Sequence, residues 1–418
     1  MTVRGEVRVP GDKSISHRSL ILAALAGGLS RIGGILQSAD VQSTAGVLRA
    51  LGIEMPDLTS HFMVPGRGLR GLTESLSALD CGNSGTTVRL MSGVAAGHPF
   101  RSTFEGDGSL SRRPMKRVAD PLTAMGATVE FAHGDGLPMT VLGGDLHAIE
   151  WNTRSASAQT KSAILLAALV GGVGVKVTEA TKSRDHTERM LRSLGVAVES
   201  DGNSVTLSPA HEISPLDLTV PGDPSSAAFM IALAVLRDSG EVVLPNVCTN
   251  PTRTGFITKL IDCGAGIECV NETEAAGDSV ATVIARASQL SDISVSAGEV
   301  PAMIDEIPLL ACIAAAAGLN LEVSGAGELR VKESDRISLV VSNLRTIGVD
   351  CDESGDGFAV HGKRKALRGA VRTDGDHRIA MAFGILGELP GNQVEIDDPS
   401  CVRVSYPSFW DDLRALRD

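Results

Sequence analysis

One phrase recurs along this chain: a leucine-rich helix end, then a glycine, then a β-branched or small-residue strand. It reads "VLRALGIEM", "PLTAMGATVE", "MLRSLGVAVE", "KLIDCGAGIE" and "NLRTIGVDCD", with the glycines Gly52, Gly126, Gly195, Gly264 and Gly348 about seventy residues apart. A sixth helix, "SFWDDLRALRD", ends the chain where the next glycine would fall. A second set keeps the same beat, each member a small or polar opening followed by an Ala/Leu-rich helix. Its members are "KSISHRSLILAALAGG", "NSGTTVRLMSGVAAG", "SASAQTKSAILLAALVGG", "DPSSAAFMIALAVL", "AMIDEIPLLACIAAAAG" and "DHRIAMAFGILG". The chain therefore reads as six copies of a unit with two helices and several short strands. "VPGD" leads into the first and fourth copies, at Val9–Asp12 and Val220–Asp223, which groups them three and three.

Composition limits how such units pack. Hydrophobic residues make up 43% of the 418 but aromatics only 3%, so the core must be Ala, Val, Leu and Ile in closely packed α/β layers, split over two or three domains. Each repeat glycine could supply a left-handed C′ position, but close packing alone is the favoured reading. The Ala/Leu helices are apolar nearly all round, which predicts burial inside each half, with N-termini at a shared face. Converging N-termini favour anions.

A net charge of −12 with no basic, aromatic-interleaved run excludes a general nucleic-acid binder. The seven cysteines form no C-x-x-C pair and no zinc spacing, so reduced thiols and no metal are expected. "MTVRGEVRVPG" lacks the apolar core of a secretory signal, and runs such as "AILLAALVGGVGV" are too short to span a bilayer. The reading is a soluble, cytoplasmic, monomeric protein acting on small molecules.

The repeat openings hold the chemistry. Lys13, Ser14 and Arg18 belong to the first; Asn83, Gly85, Thr86, Thr87 and Arg89 to the second; Ser157 and Gln159 to the third. Asp305 and Glu306 belong to the fifth, and Asp376, His377 and Arg378 to the sixth. Added to these are Arg112 and Arg113 in "GDGSLSRRPMKR", Arg184 in "KSRDHTERM", and Arg330, Lys332, Glu333, Asp335 and Arg336 in "LRVKESDRI". The first opening fails the Walker A pattern because Asp12 separates Gly11 from Lys13. It still offers hydroxyls, an ammonium and a helix N-terminus to a phosphate. Two like charges about 4 Å apart cost roughly 4 kcal/mol at an effective dielectric of 20, so clustered cations without counter-charges would imply bound phosphates or carboxylates.

A helix from Glu333 would set Lys332 and Arg336 at i, i+4. Asp305, beside a hydrophobic helix, is either an N-cap or a base with raised pKa; spacing alone favours the cap. His17, His186 and His377 read as structural hydrogen-bonding residues. No nucleophile elbow and no dinucleotide fingerprint is present.

"PGDKSISHRSLILAAL", "CGNSGTTVRL", "SRRPMKR", "SASAQTKSA", "RVKESDR" and "DGDHRIAMA" together resemble the 5-enolpyruvylshikimate-3-phosphate synthases, from the first ten residues to the last helix. The resemblance implies a two-domain inside-out α/β barrel, each domain built of three βαβαββ units around buried helices, joined by two hinge strands at the "VPGD" segments. Residues 11–222 would form one domain, and 1–10 with 223–418 the other. It implies transfer of the enolpyruvyl group of phosphoenolpyruvate to the 5-hydroxyl of shikimate 3-phosphate, without metal or organic cofactor.

By motif, Lys13, Ser14, Arg18, Ser157, Ala158, Gln159, Arg184, Asp305 and Lys332 would hold shikimate 3-phosphate. Lys13, Asn83, Gly85, Arg113, Gln159, Arg336 and Arg378 would hold phosphoenolpyruvate. Asp305 would be the base and Glu333 the acid, with Lys13 and Lys332 assisting. The cations of the two halves would repel one another until substrates close them together. The related transferase acting on UDP-N-acetylglucosamine usually has a loop cysteine, absent from "DGSLSRRPMK", and a silent anion-binding protein would not be expected to keep Lys13, Asp305, Glu333 and Arg378. Two positions depart from the family pattern: Val404 stands where a lysine is frequent, leaving Arg403 or another group to compensate, and Leu90 stands where some members have proline. Gly85 is the position at which alanine narrows the space used by glyphosate in this family.

Overall fold

The computed structural model describes residues 2–153 and 156–416; Ser155, which opens "SASAQTKSA", lies outside them. The five repeat glycines all have positive φ, between 87° and 112°. Each sits two residues past its helix, and the hydrogen bonds explain why. In the first, Gly52 N–H donates to Arg49 O and Ile53 N–H to Leu48 O, the paired bonds of a Schellman turn. The same pair recurs at Gly126 and Ala127, Gly195 and Val196, Gly264 and Ala265, and Gly348 and Val349. The sequence period is thus a repeated helix stop that only glycine adopts without strain.

The chain divides into two compact units. The first is Gly11–Val220 with Glu274–Asp278; the second is Met1–Pro10, Pro221–Thr273 and Ser279–Asp418. In the first unit the helices come in pairs: α1 (Lys13–Leu25) and α2 (Ala39–Ala50), α3 (Gly85–Ala96) and α4 (Lys116–Ala124), α5 (Ala158–Gly171) and α6 (His186–Ser193). The second unit has α7 (Pro224–Leu236) and α8 (Gly255–Asp262), then the short α9 (Val300–Met303) before α10 (Ile307–Ala317) and α11 (Arg336–Thr346). It ends with α12 (His377–Gly387) and α13 (Phe409–Ala415).

Beneath the helices, each full repeat forms a four-stranded sheet of one pattern. In the third, Ile149–Thr153 runs parallel to Val175–Glu179. Ser204–Leu207 returns antiparallel, and Val198–Asp201 pairs with it. The sixfold repeat is unequal at its ends. The first repeat has three strands, its opening strand donated by Asp217–Thr219; the last has only Arg368–Val371 against Gln393–Ile396. The opening strand of the fourth is Thr2–Glu6, parallel to Ser239–Cys248.

The six Ala/Leu helices are the core. From Ile15 to Leu25 every residue of α1 is buried, and α7 is buried from Pro224 to Val235. Small residues make such packing possible: a Cβ on Gly93 in α3 would lie 2.2 Å from the Ala163 carbonyl oxygen in α5. A helix buried on every side can present chemistry only at its ends, and the caps show which ends. Asp12 and Ser84 accept from backbone N–H groups of Ile15 and Thr87, Asp223 and Asp376 from those of Ser225 and Arg378. The aspartates of the two "VPGD" segments are therefore helix caps, sitting where the chain passes between units. No helix among the described residues is long and apolar enough to cross a membrane.

Candidate active site

In the first unit, the openings of α1, α3 and α5 are joined by side chains. Arg18 is buried, its Nε donating to Thr187 Oγ1 at 2.7 Å, Nη2 to Ser162 Oγ at 2.7 Å and Nη1 to the Ser14 carbonyl at 3.0 Å. Burial lowers its pKa to about 10, with nearby Arg184 acting in the same direction, against the opposing charges of Glu188, Asp12 and Asp278. Lys13 pairs with Asp40 of α2. Arg89 Nη1 donates to Gln159 Oε1 at 2.6 Å, and Gln159 Nε2 donates to Thr86 Oγ1 at 2.9 Å. Accepting from Arg89 fixes the Gln159 amide, so the group it can still offer is an N–H donor. Arg113 Nη2 donates to Asn83 Oδ1 at 2.6 Å, while Asn83 Nδ2 donates to Asp107. Ser157 caps α5, accepting from Thr160 N–H at 3.3 Å, and Ala158 follows as its first residue. Gly85 opens α3; a Cβ there would lie 2.9 Å from Arg89 Nη1 and 3.3 Å from Arg113 Nη1.

The second unit is built differently. Arg336, 1% exposed, meets three carboxylates: Asp305 at 3.0 Å, Glu333 at 2.6 Å and Asp376 at 2.8 Å. Burial alone would lower its pKa, but Asp376, Glu333 and Asp305 outweigh that and raise it. Asp376 is held below the carboxylate range by Arg336 although burial opposes this. Arg378 reaches Asp305 and Glu306 at 3.6 Å each, and Lys332 lies 3.9 Å from Asp305. Asp305 thus collects three cations.

Three expectations are corrected here. The cations of this unit are not uncompensated, because Asp305, Glu306, Glu333 and Asp376 stand among them, so their clustering does not by itself require a bound anion. Asp305 is not the cap of α10: it lies in the turn before Glu306, the residue at the cap position, and its carboxylate goes to the cations. Glu333 is not helical either. Asp335 accepts from Ser338 N–H and starts α11 at Arg336, leaving Lys332 and Glu333 on the loop after a 3-10 turn at Gly327–Val331.

Over the whole fold, the chain matches a solved EPSP synthase from Acinetobacter baumannii with TM-score 0.87 and 38% identity, covering 99% of this chain and 96% of that one. The sequence model of EPSP synthase (3-phosphoshikimate 1-carboxyvinyltransferase) matches residues 1–413. The chain belongs to the EPSP synthase family. Relatives named 3-phosphoshikimate 1-carboxyvinyltransferase include those of Sulfurihydrogenibium sp., 45% identical over 99% of this chain and 97% of its own, and Bacillus subtilis, 42% identical over 99% and 97%. The fold expected from the resemblance, two domains of repeated α/β units around buried helices, is that of this family.

Several residues that hold these side-chain clusters together were not among those the sequence pointed to. Asp40 is 27 residues from its partner Lys13; its one local signal was a place in the first turn of α2 after the Ser38 cap. Thr187 and Ser162, which hold Arg18, look like ordinary helix residues. Lys161 is buried between Glu179 at 2.7 Å and Glu188 at 2.8 Å, tying α5 to the segment that carries Arg184. Of the family departures, Val404 ends a 3-10 turn at Pro399–Val404 and Arg403 is exposed. The three histidines named from the sequence are buried: His17 Nδ1 is 2.7 Å from Thr44 Oγ1, His186 Nδ1 is 2.7 Å from Asp278 Oδ2, and His377 opens α12. Among the described residues no cluster of His, Cys, Asp and Glu is arranged to hold a metal ion.

Proposed function

We propose that this protein transfers the enolpyruvyl group of phosphoenolpyruvate to the 5-hydroxyl of shikimate 3-phosphate, releasing phosphate, on the route to chorismate and the aromatic amino acids. Beyond family membership, the observation that carries this reading is Asp305, a buried carboxylate facing Lys332, Arg336 and Arg378, with Glu333 held on the same Arg336. Such a set can take up and deliver protons beside a bound acid.

In this reading Lys13, Ser14, Arg18, Ser157, Ala158, Gln159 and Arg184 take the phosphorylated ring acid, with Asp305 and Lys332 at its 5-hydroxyl. Asn83, Gly85, Arg113, Arg336 and Arg378 take phosphoenolpyruvate, with Lys13 and Gln159 serving both. Asp305 accepts the proton of the attacking hydroxyl, and Glu333 delivers a proton to the methylene carbon of phosphoenolpyruvate. The new C–O bond forms at C2 and gives a tetrahedral ketal phosphate. Loss of a methyl proton and departure of phosphate then restore the double bond. Charge developing at C2 and on the leaving phosphate is met by groups already oriented.

We assign residues 11–222 to one domain and residues 1–10 with 223–418 to the other, bounds that differ from those of the compact units at residues 221–222 and 274–278. A single chain carries both sets of residues, so the reading needs no second copy. Five of the seven cysteines are buried, and in this reading the enzyme works in the cytoplasm. A coupled phosphate-release assay with shikimate 3-phosphate and phosphoenolpyruvate tests the proposal: phosphate is expected only when both are present. Phosphate released with UDP-N-acetylglucosamine in place of shikimate 3-phosphate, and none with the latter, would overturn it.

A further inference from the structure

Arg330 stands outside every role assigned above, yet each N–H of its guanidinium is engaged. Nε donates to the Gly355 carbonyl at 2.8 Å, and Nη2 to Glu353 Oε1 at 2.9 Å and the Ser354 carbonyl at 2.6 Å. Nη1 donates to Asp335 at 2.8 and 3.1 Å and to Ser338 Oγ at 3.0 Å. Ser338 Oγ in turn donates to Glu353 at 2.6 Å. The guanidinium therefore ties the end of the 3-10 turn, the cap of α11 and the strand Asp350–Glu353 into one knot. Between its two anchors on the chain, Arg330 and Asp335, lie only Val331, Lys332, Glu333 and Ser334. The opposite side of that four-residue loop meets the site: Lys332 faces Asp305, Glu333 faces Arg336, and Ser334 Oγ donates to Asp376 at 3.0 Å.

We propose that Arg330 is a positioning residue, closing the base of this loop so that Lys332 and Glu333 are held at working distance from Arg336 and Asp305. The fork of a guanidinium is suited to this because it fixes several acceptors in one plane at once. An ammonium cannot, so Arg330→Lys does not restore the arrangement. Exposed ion pairs taken singly contribute little to stability. The consequence of losing this one is geometric, and displacement of a reacting group by about 1 Å costs on the order of 100-fold in rate.

The inference rests on the proposed roles of Lys332 and Glu333, and its test has an arm independent of them. For Arg330→Gln, kcat is expected to fall about 10- to 100-fold while KM for shikimate 3-phosphate stays within about twofold; Glu353→Gln, a milder break in the same knot, gives a smaller fall. The double variant should be no worse than Arg330→Gln alone, because the two act through one network. Endoproteinase Lys-C, which cuts after lysine, should cleave native Arg330→Gln at Lys332 on the order of tenfold faster than wild type. Unchanged cleavage at Lys332 overturns the proposal whether or not the wild-type protein turns over these substrates. Wild-type kcat in Arg330→Gln, or a loss of thermal stability with kcat intact, overturns it as well. Absence of turnover in the wild type would instead count against the proposed reaction, with cleavage at Lys332 still deciding whether Arg330 holds the loop.

Discussion

The two units hold their cations by different means. In the first, Arg18 rests on the hydroxyls of Thr187 and Ser162, and Arg89 and Arg113 rest on the amides of Gln159 and Asn83. In the second, Arg336 and Arg378 rest on carboxylates. A neutral partner orients a guanidinium without cancelling its charge, so the first arrangement is ready to receive an anion. A carboxylate cancels the charge and can also exchange a proton, so the second suits acid and base work. Lys13, paired with Asp40, and Lys161, buried between Glu179 and Glu188, are exceptions in the first unit.

The largest expected effect falls on the side proposed to move protons. Asp305→Asn should lower kcat by about 100- to 10,000-fold with a much smaller change in shikimate 3-phosphate affinity; affinity lost with turnover kept would reverse the division of labour. The same contrast predicts unequal stability losses. Arg336→Met strands the buried carboxylates of Asp305 and Asp376 and the half-buried one of Glu333 and should destabilise by about 3–5 kcal/mol, whereas Arg18→Met removes bonds to hydroxyls and should destabilise by about 1–3 kcal/mol. Equal losses in denaturant titrations would erase the distinction.

A third prediction concerns pH. Burial lowers the His17 pKa from 6.5 to about 3, with Lys13 and Arg18 adding to this against Asp40. The unfolded chain therefore takes up this proton as pH falls below 6.5 and the folded one does not until about 3, so stability is lost across that window. Between pH 7 and 4.5 the loss is about 2–3 kcal/mol, and His17→Gln should lose correspondingly less; parallel curves for the two proteins would contradict this. The smallest effect is at Gly85, whose added methyl meets first the flexible ends of Arg89 and Arg113. Gly85→Ala should raise KM for phosphoenolpyruvate about several-fold and weaken glyphosate inhibition, as measured by steady-state titration. Unchanged inhibition would remove Gly85 from the phosphoenolpyruvate side of the site.

What could be read from the sequence followed its local physics. The glycines ending α2, α4, α6, α8 and α11 were legible as a period, but the sequence favoured a packing role over the left-handed turn that their positive φ values show. The buried helices were legible because Ala/Leu runs have no polar face. The surroundings of Asp305 were not, since its partners Lys332, Arg336 and Arg378 lie 27 to 73 residues away in sequence and only the fold brings them to it. The start of α11 was misplaced because the "KES" run looks helical until the Asp335 cap and the Arg330 knot are seen. The counter-charges were missed for the same reason: Glu306 and Asp376 read as helix-opening residues, not as partners of arginines from other repeats.

The division between capture and proton transfer is tested most directly by running the reaction in deuterium oxide with wild type and Glu333→Gln, after confirming that both bind shikimate 3-phosphate. The account predicts deuterium in the methylene group of the wild-type product and little or none with Glu333→Gln, while binding stays close to wild type. Deuterium incorporated by Glu333→Gln at the wild-type rate, or Glu333→Gln unable to bind shikimate 3-phosphate, would contradict it.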